Sequence, residues 1–180
     1  MPETETLEMD EVLEKITFYC LNTAREKIEA GEEFVPFTVV VEGEQLFEET
    51  YPLDDVVSCR ANVEANVKSS STFSTHYAFC YDGFLMTDDG QLDAIIVECA
   101  ERDMEQAYVI GLLYRQEEDG AYTFEDMPAY LDKVETFYDR AAVNVAEAEE
   151  AVKDDGDMQA AQEILNRTLG VDVAKDDASK

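Results

Sequence analysis

Along residues 1–30 the apolar positions recur at intervals of three and four. Met9, Val12, Leu13, Ile16, Tyr19, Cys20, Ala24 and Ile28 fall on one stripe of a 3.6-residue period, which predicts an amphipathic helix over 7–30. Thr6 stands where a cap is needed, Glu8, Asp10 and Glu11 suit the electropositive first turn, and Gly31 is placed to terminate. The period then shortens to that of strands. Phe34-Val35-Pro36-Phe37-Thr38-Val39-Val40-Val41 is β-branched and aromatic, Glu42-Gly43-Glu44 supplies a turn, and Gln45 to Tyr51 can return as a second strand. Because Pro36 has no N–H to donate, that first strand starts there or lies at an edge. Over 53–68, Val56, Cys59, Val63 and Val67 return to helical spacing, and Ser69-Ser70-Ser71 closes the segment as a loop.

Three strand-like runs follow, over 72–86, 92–101 and 106–115, separated by Thr87-Asp88-Asp89-Gly90 and Arg102-Asp103-Met104. Asp-Gly between such runs is a hairpin signal, with Asp82-Gly83 as a rival turn or a bulge inside the first run. An antiparallel meander is expected. Glu117-Glu118-Asp119-Gly120 makes a further turn and 121–124 a short edge strand. Met127-Pro128 can open a helix whose face carries Leu131, Val134, Phe137, Tyr138, Ala141 and Ala142. Beyond residue 142 large hydrophobes thin out among Ala and Glu. Lys153-Asp154-Asp155-Gly156 interrupts, Asp157 can cap a segment with Met158, Ala161, Ile164, Leu165 and Leu169 on one face, and 172–180 has the composition of a disordered end.

These elements predict an α+β fold: an antiparallel sheet of about five strands with a long N-terminal helix and C-terminal helices packed on one face. The chain divides into a single domain over 1–142 and an acidic, Ala-rich helical extension over 143–180. At 180 residues it is long enough to bury a core without disulfide staples.

Charge changes the picture most. Forty-three Asp and Glu against 13 Lys and Arg give a formal net charge of −30. Spread over roughly 8,800 Å² of folded surface, that is about one net charge per 290 Å², or a spacing of about two Debye lengths at physiological salt. The fold tolerates it, but nucleic acid and anionic membrane surfaces are disfavoured as partners, since no cluster of Lys or Arg offsets the excess. The acidity reads first as a solvated surface, then as adaptation to salt, and lastly as mimicry of a polyanion. Apolar runs such as Ala94 to Val97 and Val109 to Leu113 are too short to span a bilayer, and Met1 to Thr6 lacks the pattern of a signal peptide. Cys20, Cys59, Cys80 and Cys99 have no CxxC spacing and read as reduced, buried thiols, so a cytoplasmic protein is expected.

Candidate chemistry is sparse. His76 and Cys80 lie on one face of the same predicted strand, but four residues of strand separate them by about 13 Å, too far for an activated thiolate. A two-residue turn at Asp89-Gly90 would place Cys80 opposite Cys99, within reach of a cross-strand disulfide; a longer loop or a bulge would undo that pairing. Acidic turns at Gly90, Gly120 and Gly156 lack the leading Asp of a calcium loop, having Leu85, Arg115 and Ala151 there. One His and four dispersed Cys show no metal-ligand spacing. Glu98, inside Ile95-Ile96-Val97-Glu98-Cys99-Ala100, reads by alternation as facing water, the other reading being a buried acid of raised pKa. Tyr77, Phe79 and Tyr81 share a strand face and, with no Lys or Arg beside them, read as core or a protein-contact surface. No residue is assigned a catalytic, cofactor-binding or metal role, and no cofactor is expected.

Phe34-Val35-Pro36-Phe37, Leu92-Asp93-Ala94-Ile95-Ile96-Val97-Glu98 and Leu112-Leu113-Tyr114-Arg115 resemble a small bacterial protein family, mainly actinobacterial, that has no established activity. The resemblance spans about 33–127 and implies a fold unit and a bacterial cytosol, with no chemistry; the acidic C-terminal extension departs from it. The order and size of the elements also resemble the dimeric secretion-chaperone fold, with two strands in place of three before the middle helix. A non-enzymatic acidic module that binds a protein partner or itself is therefore the leading functional expectation. The alternatives are a secretion-chaperone-like dimeric binding protein and a small enzyme using a carboxylate or a lone thiol in a cleft. For the enzyme, Glu98 or a cysteine would have to meet His76 or Arg115 in a pocket.

Overall fold

The structure, a computed structural model, describes residues 7–52 and 55–155. Its elements run α1 (Glu11–Glu29), β1 (Phe37–Glu42), β2 (Gln45–Thr50), α2 (Val56–Ser69), β3 (His76–Thr87), β4 (Gly90–Glu101), β5 (Gln106–Gln116), β6 (Tyr122–Phe124), β7 (Ala129–Glu135) and α3 (Arg140–Asp155). The strands form one antiparallel sheet in the order β2-β1-β3-β4-β5, and β6 and β7 pair with successive parts of β5. The α+β class stands, with seven strands in place of about five. The segment capped by Asp157 and the end over 172–180 lie outside the described residues, as does Thr6.

α1 begins one turn later than its apolar stripe suggests, because Asp10 is the cap: its Oδ1 accepts the Leu13 N–H at 2.6 Å. Leu13, Ile16, Cys20, Leu21, Ala24 and Ile28 then pack on Phe37, Val39, Val41, Ala78, Cys80, Ile95, Val97 and Cys99. The neighbouring strand positions Tyr77 and Phe79 point to the opposite face. There they meet Cys59, Val63 and Val67 of α2, with Phe137, Tyr138 and Val143 at the start of α3. The helices thus divide between the two faces of the sheet instead of sharing one. Residue 142 falls inside α3, and Val143 just beyond it is fully buried.

With both faces covered, the middle of β4 from Ala94 to Ala100 has no solvent side at all. That is why its sequence shows an apolar run and not an alternation.

Two local readings are corrected. The segment from Met127 to Ala142 is not one helix: β7 occupies its first half and Asp139 caps α3, accepting from Ala141 N at 3.1 Å and Ala142 N at 3.2 Å. A bulge opposite Val109 and Ile110 disturbs the alternation of β7 and leaves Leu131 and Val134 three residues apart, the spacing that mimics a helix. Leu131 lies over Gly111, where a Cβ would come within 2.6 Å of its Cδ1. The β3–β4 turn is the second correction. Asp88 and Asp89 form the loop and Gly90, at φ 110°, is already paired with Thr87, so Cys80 opposes Val97 and Cys99 opposes Ala78. No helix among the described residues is long and apolar enough to cross a membrane.

Candidate functional site

The β1–β2 hairpin is the least protected part of the sheet. β2 pairs only with β1, and all six of its residues are exposed. Phe47 and Glu49 lie across from Val40 and Thr38 on the face that α2 covers. A groove of about 280 Å³ runs there, floored by Val40, Val67 and Tyr51 and flanked by Phe47 and Phe73, with the carboxylates of Glu42 and Glu49 at its rim. Glu49 accepts from Tyr51 Oη and Asn66 Nδ2, both at 3.3 Å. On the other face Tyr19 Oη donates to Glu48 at 2.6 Å, fastening α1 to the hairpin. Among the described residues no lysine or arginine pairs with Glu42, Glu48 or Glu49. The edge therefore combines free backbone hydrogen-bonding groups, an apolar slot and uncompensated negative charge.

Glu98 does not face water. It is 2% exposed and takes Arg60 of α2 in a two-pronged ion pair, Nη1 to Oε2 at 2.6 Å and Nη2 to Oε1 at 2.7 Å, with Tyr81 Oη donating to Oε2 at 2.8 Å. Every carboxylate oxygen is thus engaged, and Arg60 also lies over the Phe137 ring. The pair raises the pKa of Arg60, chiefly through its hydrogen bonds to Glu98, and burial together with the Glu98 charge pushes the Tyr81 hydroxyl well up. Alternation along β4 was the wrong guide because α2 covers the side on which Glu98 lies.

His76 stands at the start of β3 opposite Glu101 at the end of β4, beside the first turn of α1. Its Nε2 lies 2.7 Å from Asp10 Oδ2 and its Nδ1 2.8 Å from Thr75 Oγ1. One donor atom each from Asp10, His76 and Glu101 falls within 4.8 Å of the others, the arrangement among the described residues that could hold a metal ion. Burial raises the Asp10 carboxyl, but the Leu13 N–H and His76 outweigh it and hold the group below its ordinary value; Glu101 is pushed up by burial and by Asp10 and Asp103. Composition could not expose this cluster, since Asp10 and His76 are 66 positions apart.

The remaining candidates stay separate. Cys20, Cys59, Cys80 and Cys99 are free and buried; burial raises all four thiols, Cys99 to about 11. Neither Cys80 nor Glu98 meets His76. Arg115 lies exposed on β5, 4.0 Å from Glu117. Tyr77 and Phe79 are core residues, and the Tyr77 hydroxyl, pushed up to about 12 mainly by burial, accepts the Phe137 N–H at 3.0 Å. No protein-family model, curated protein or solved structure matches the chain.

Proposed function

We propose that the protein is a non-enzymatic binding module that takes an extended, cationic segment of a partner protein as an added strand on β2. The observation that carries the reading is the open edge of β2, with six exposed residues beside an apolar groove whose rim is acidic. A strand that docks by main-chain hydrogen bonds gains affinity from the edge and selectivity from alternate side chains. Here the side chains on the α2 side would themselves be mixed, apolar toward Phe47 and Phe73 and basic toward Glu42 and Glu49. Self-pairing of two β2 edges is disfavoured, because it brings Glu48 and Glu49 of both copies together between chains that each carry −30. Exposed edges are ordinarily guarded by lysine or proline; two glutamates guard this one against its own kind while leaving it open to a basic strand. Phosphate-bearing ligands would meet the same repulsion, so nucleic acid is not the expected partner. The four free cysteines favour a reducing, cytoplasmic setting.

A short peptide with threonine at every second position and valine and lysine in turn between them, so that one strand face carries both, is titrated into the isotopically labelled protein to test this. Amide shifts should concentrate at 45–50, binding should weaken as salt rises, and Glu42→Lys with Glu49→Lys should reduce affinity about tenfold. Equal binding of the same peptide with glutamate in place of lysine, shifts concentrated elsewhere, or a stable dimer that buries β2 would overturn it.

A further inference from the structure

We propose that Asp10, His76 and Glu101 form a binding site for a divalent transition-metal ion of the zinc class, with His76 Nε2 and one carboxylate oxygen from each acid as ligands. This site lies two strands from the β2 edge, since His76 pairs with Val41 of β1 and Val41 with Leu46 of β2, but it shares no residue with the groove and stands whether or not β2 binds a strand.

Three observations carry it. The donor atoms come from three elements that the fold brings together: the cap of α1, the first residue of β3 and the last of β4. Two anionic oxygens and an imidazole nitrogen make the mixed oxygen–nitrogen set that such ions take, and they neutralise a dication. The imidazole is also held as a ligand would be. Thr75 Oγ1 donates toward the Val41 carbonyl at 3.5 Å, which leaves its lone pairs to accept Nδ1–H and directs Nε2 at the acids. That outer contact sets the ring plane and gives Nδ1–H the acceptor that a metal-bound histidine needs. The ring itself is only 9% exposed, so it is not free to turn away.

The geometry needs little adjustment. Bond lengths of about 2.0–2.2 Å place tetrahedral ligand atoms roughly 3.3 Å apart. Nε2 and Asp10 Oδ2, now 2.7 Å apart, would separate by about 0.6 Å, while Glu101 closes in from within 4.8 Å. On binding, the metal takes the Nε2 lone pair, and any proton that Nε2 shares with Asp10 leaves to solvent. With Asp10 at 42% side-chain exposure, the fourth position opens to water.

The chain's only histidine makes the test unambiguous. Zn²⁺ is titrated into the full chain at physiological salt, with Mg²⁺ present to occupy surface carboxylates, and followed by calorimetry and by the ring ¹⁵N resonances. The expected result is one site per chain, a shift of Nε2 with Nδ1 still protonated, loss of the site in His76→Ala, and weakening of about 10–100-fold in Thr75→Val. Superimposable Zn²⁺ isotherms for the natural chain and His76→Ala, or an unmoved Nε2 at saturation, would overturn the site. Should His76→Ala fail to fold by circular dichroism, Glu101→Gln, which leaves the His76–Asp10 contact in place, decides: unchanged affinity overturns the proposal.

Discussion

Against α1 the sheet presents aliphatic side chains and thiols, Val39, Val41, Ala78, Cys80, Ile95, Val97 and Cys99 among them; against α2 and α3 it presents Tyr77, Phe79, Tyr81 and Glu98. The polar traffic differs accordingly. On the α1 face Thr17 Oγ1 satisfies itself on the Leu13 carbonyl at 2.7 Å and reaches Cys99 Sγ at 3.4 Å. The other face holds the Arg60–Glu98–Tyr81 cluster, a Ser70–Ser74–Tyr138 chain at 2.9 and 2.8 Å, and the Tyr77 bond to Phe137 N. The two helices need these different means. α1 buries seven residues and is located mainly by shape, whereas α2 buries only Cys59, Val63 and Val67, too little to fix its rotation over the sheet. A bidentate ion pair supplies the missing direction, since a guanidinium fork meets a carboxylate in few orientations.

The comparison breaks most readily on the α1 side. Leu13→Ala removes a fully buried side chain from a dry contact and should cost about 3–5 kcal/mol in denaturant-determined stability; a loss under about 1 kcal/mol would mean that α1 is not seated as described. On the other face Arg60→Ala strands a buried carboxylate and should cost about 2–3 kcal/mol, less than for a wholly buried pair because Arg60 is 39% exposed. Replacing both partners, Arg60→Met with Glu98→Leu, should recover most of that loss, and backbone amides of α2 should then exchange faster if the pair is what orients the helix. If the double variant is as unstable as Arg60→Ala, packing and not the ion pair holds α2.

The smallest effect concerns the start of α2, where Asp55 accepts the Ser58 N–H at 2.8 Å. That backbone bond, with the Ser58 side chain, lowers the Asp55 carboxyl below its ordinary value. A carboxyl depressed in the folded state contributes stability above its unfolded pKa and loses it as the pH falls through the folded one. Its share of the acid limb should therefore lie below about pH 4. Asp55→Asn keeps a cap and should flatten that limb, while Asp55→Ala should speed exchange at 56–59 and leave α1 unchanged.

Periodicity made α1, the β1–β2 hairpin, α2 and the β3–β4–β5 meander legible, since each has either a half-covered face or a long apolar run bounded by turn residues. It failed where a second layer or an irregularity intervened. Leu131 and Val134 owe their helical spacing to a bulge. Glu98 violates the two-face rule because β4 is covered on both sides. The Asp-Gly signal found the β3–β4 turn but not its register, because Gly90 serves as a strand residue with positive φ, leaving Asp88 and Asp89 as the loop. The site residues were the least legible of all. The openness of β2 depends on which strand ends the sheet, and Asp10 meets His76 only through tertiary structure.

Asp10 joins events of very different range. Its Oδ1 bond to Leu13 closes within a single turn, on the sub-microsecond scale of helix nucleation, whereas its Oδ2 partner His76 lies 66 residues on. At about 5–20 residues per second, a ribosome needs roughly 3–13 s to supply that partner. During synthesis α1 therefore precedes the strands it covers, and its apolar stripe stays bare until they arrive.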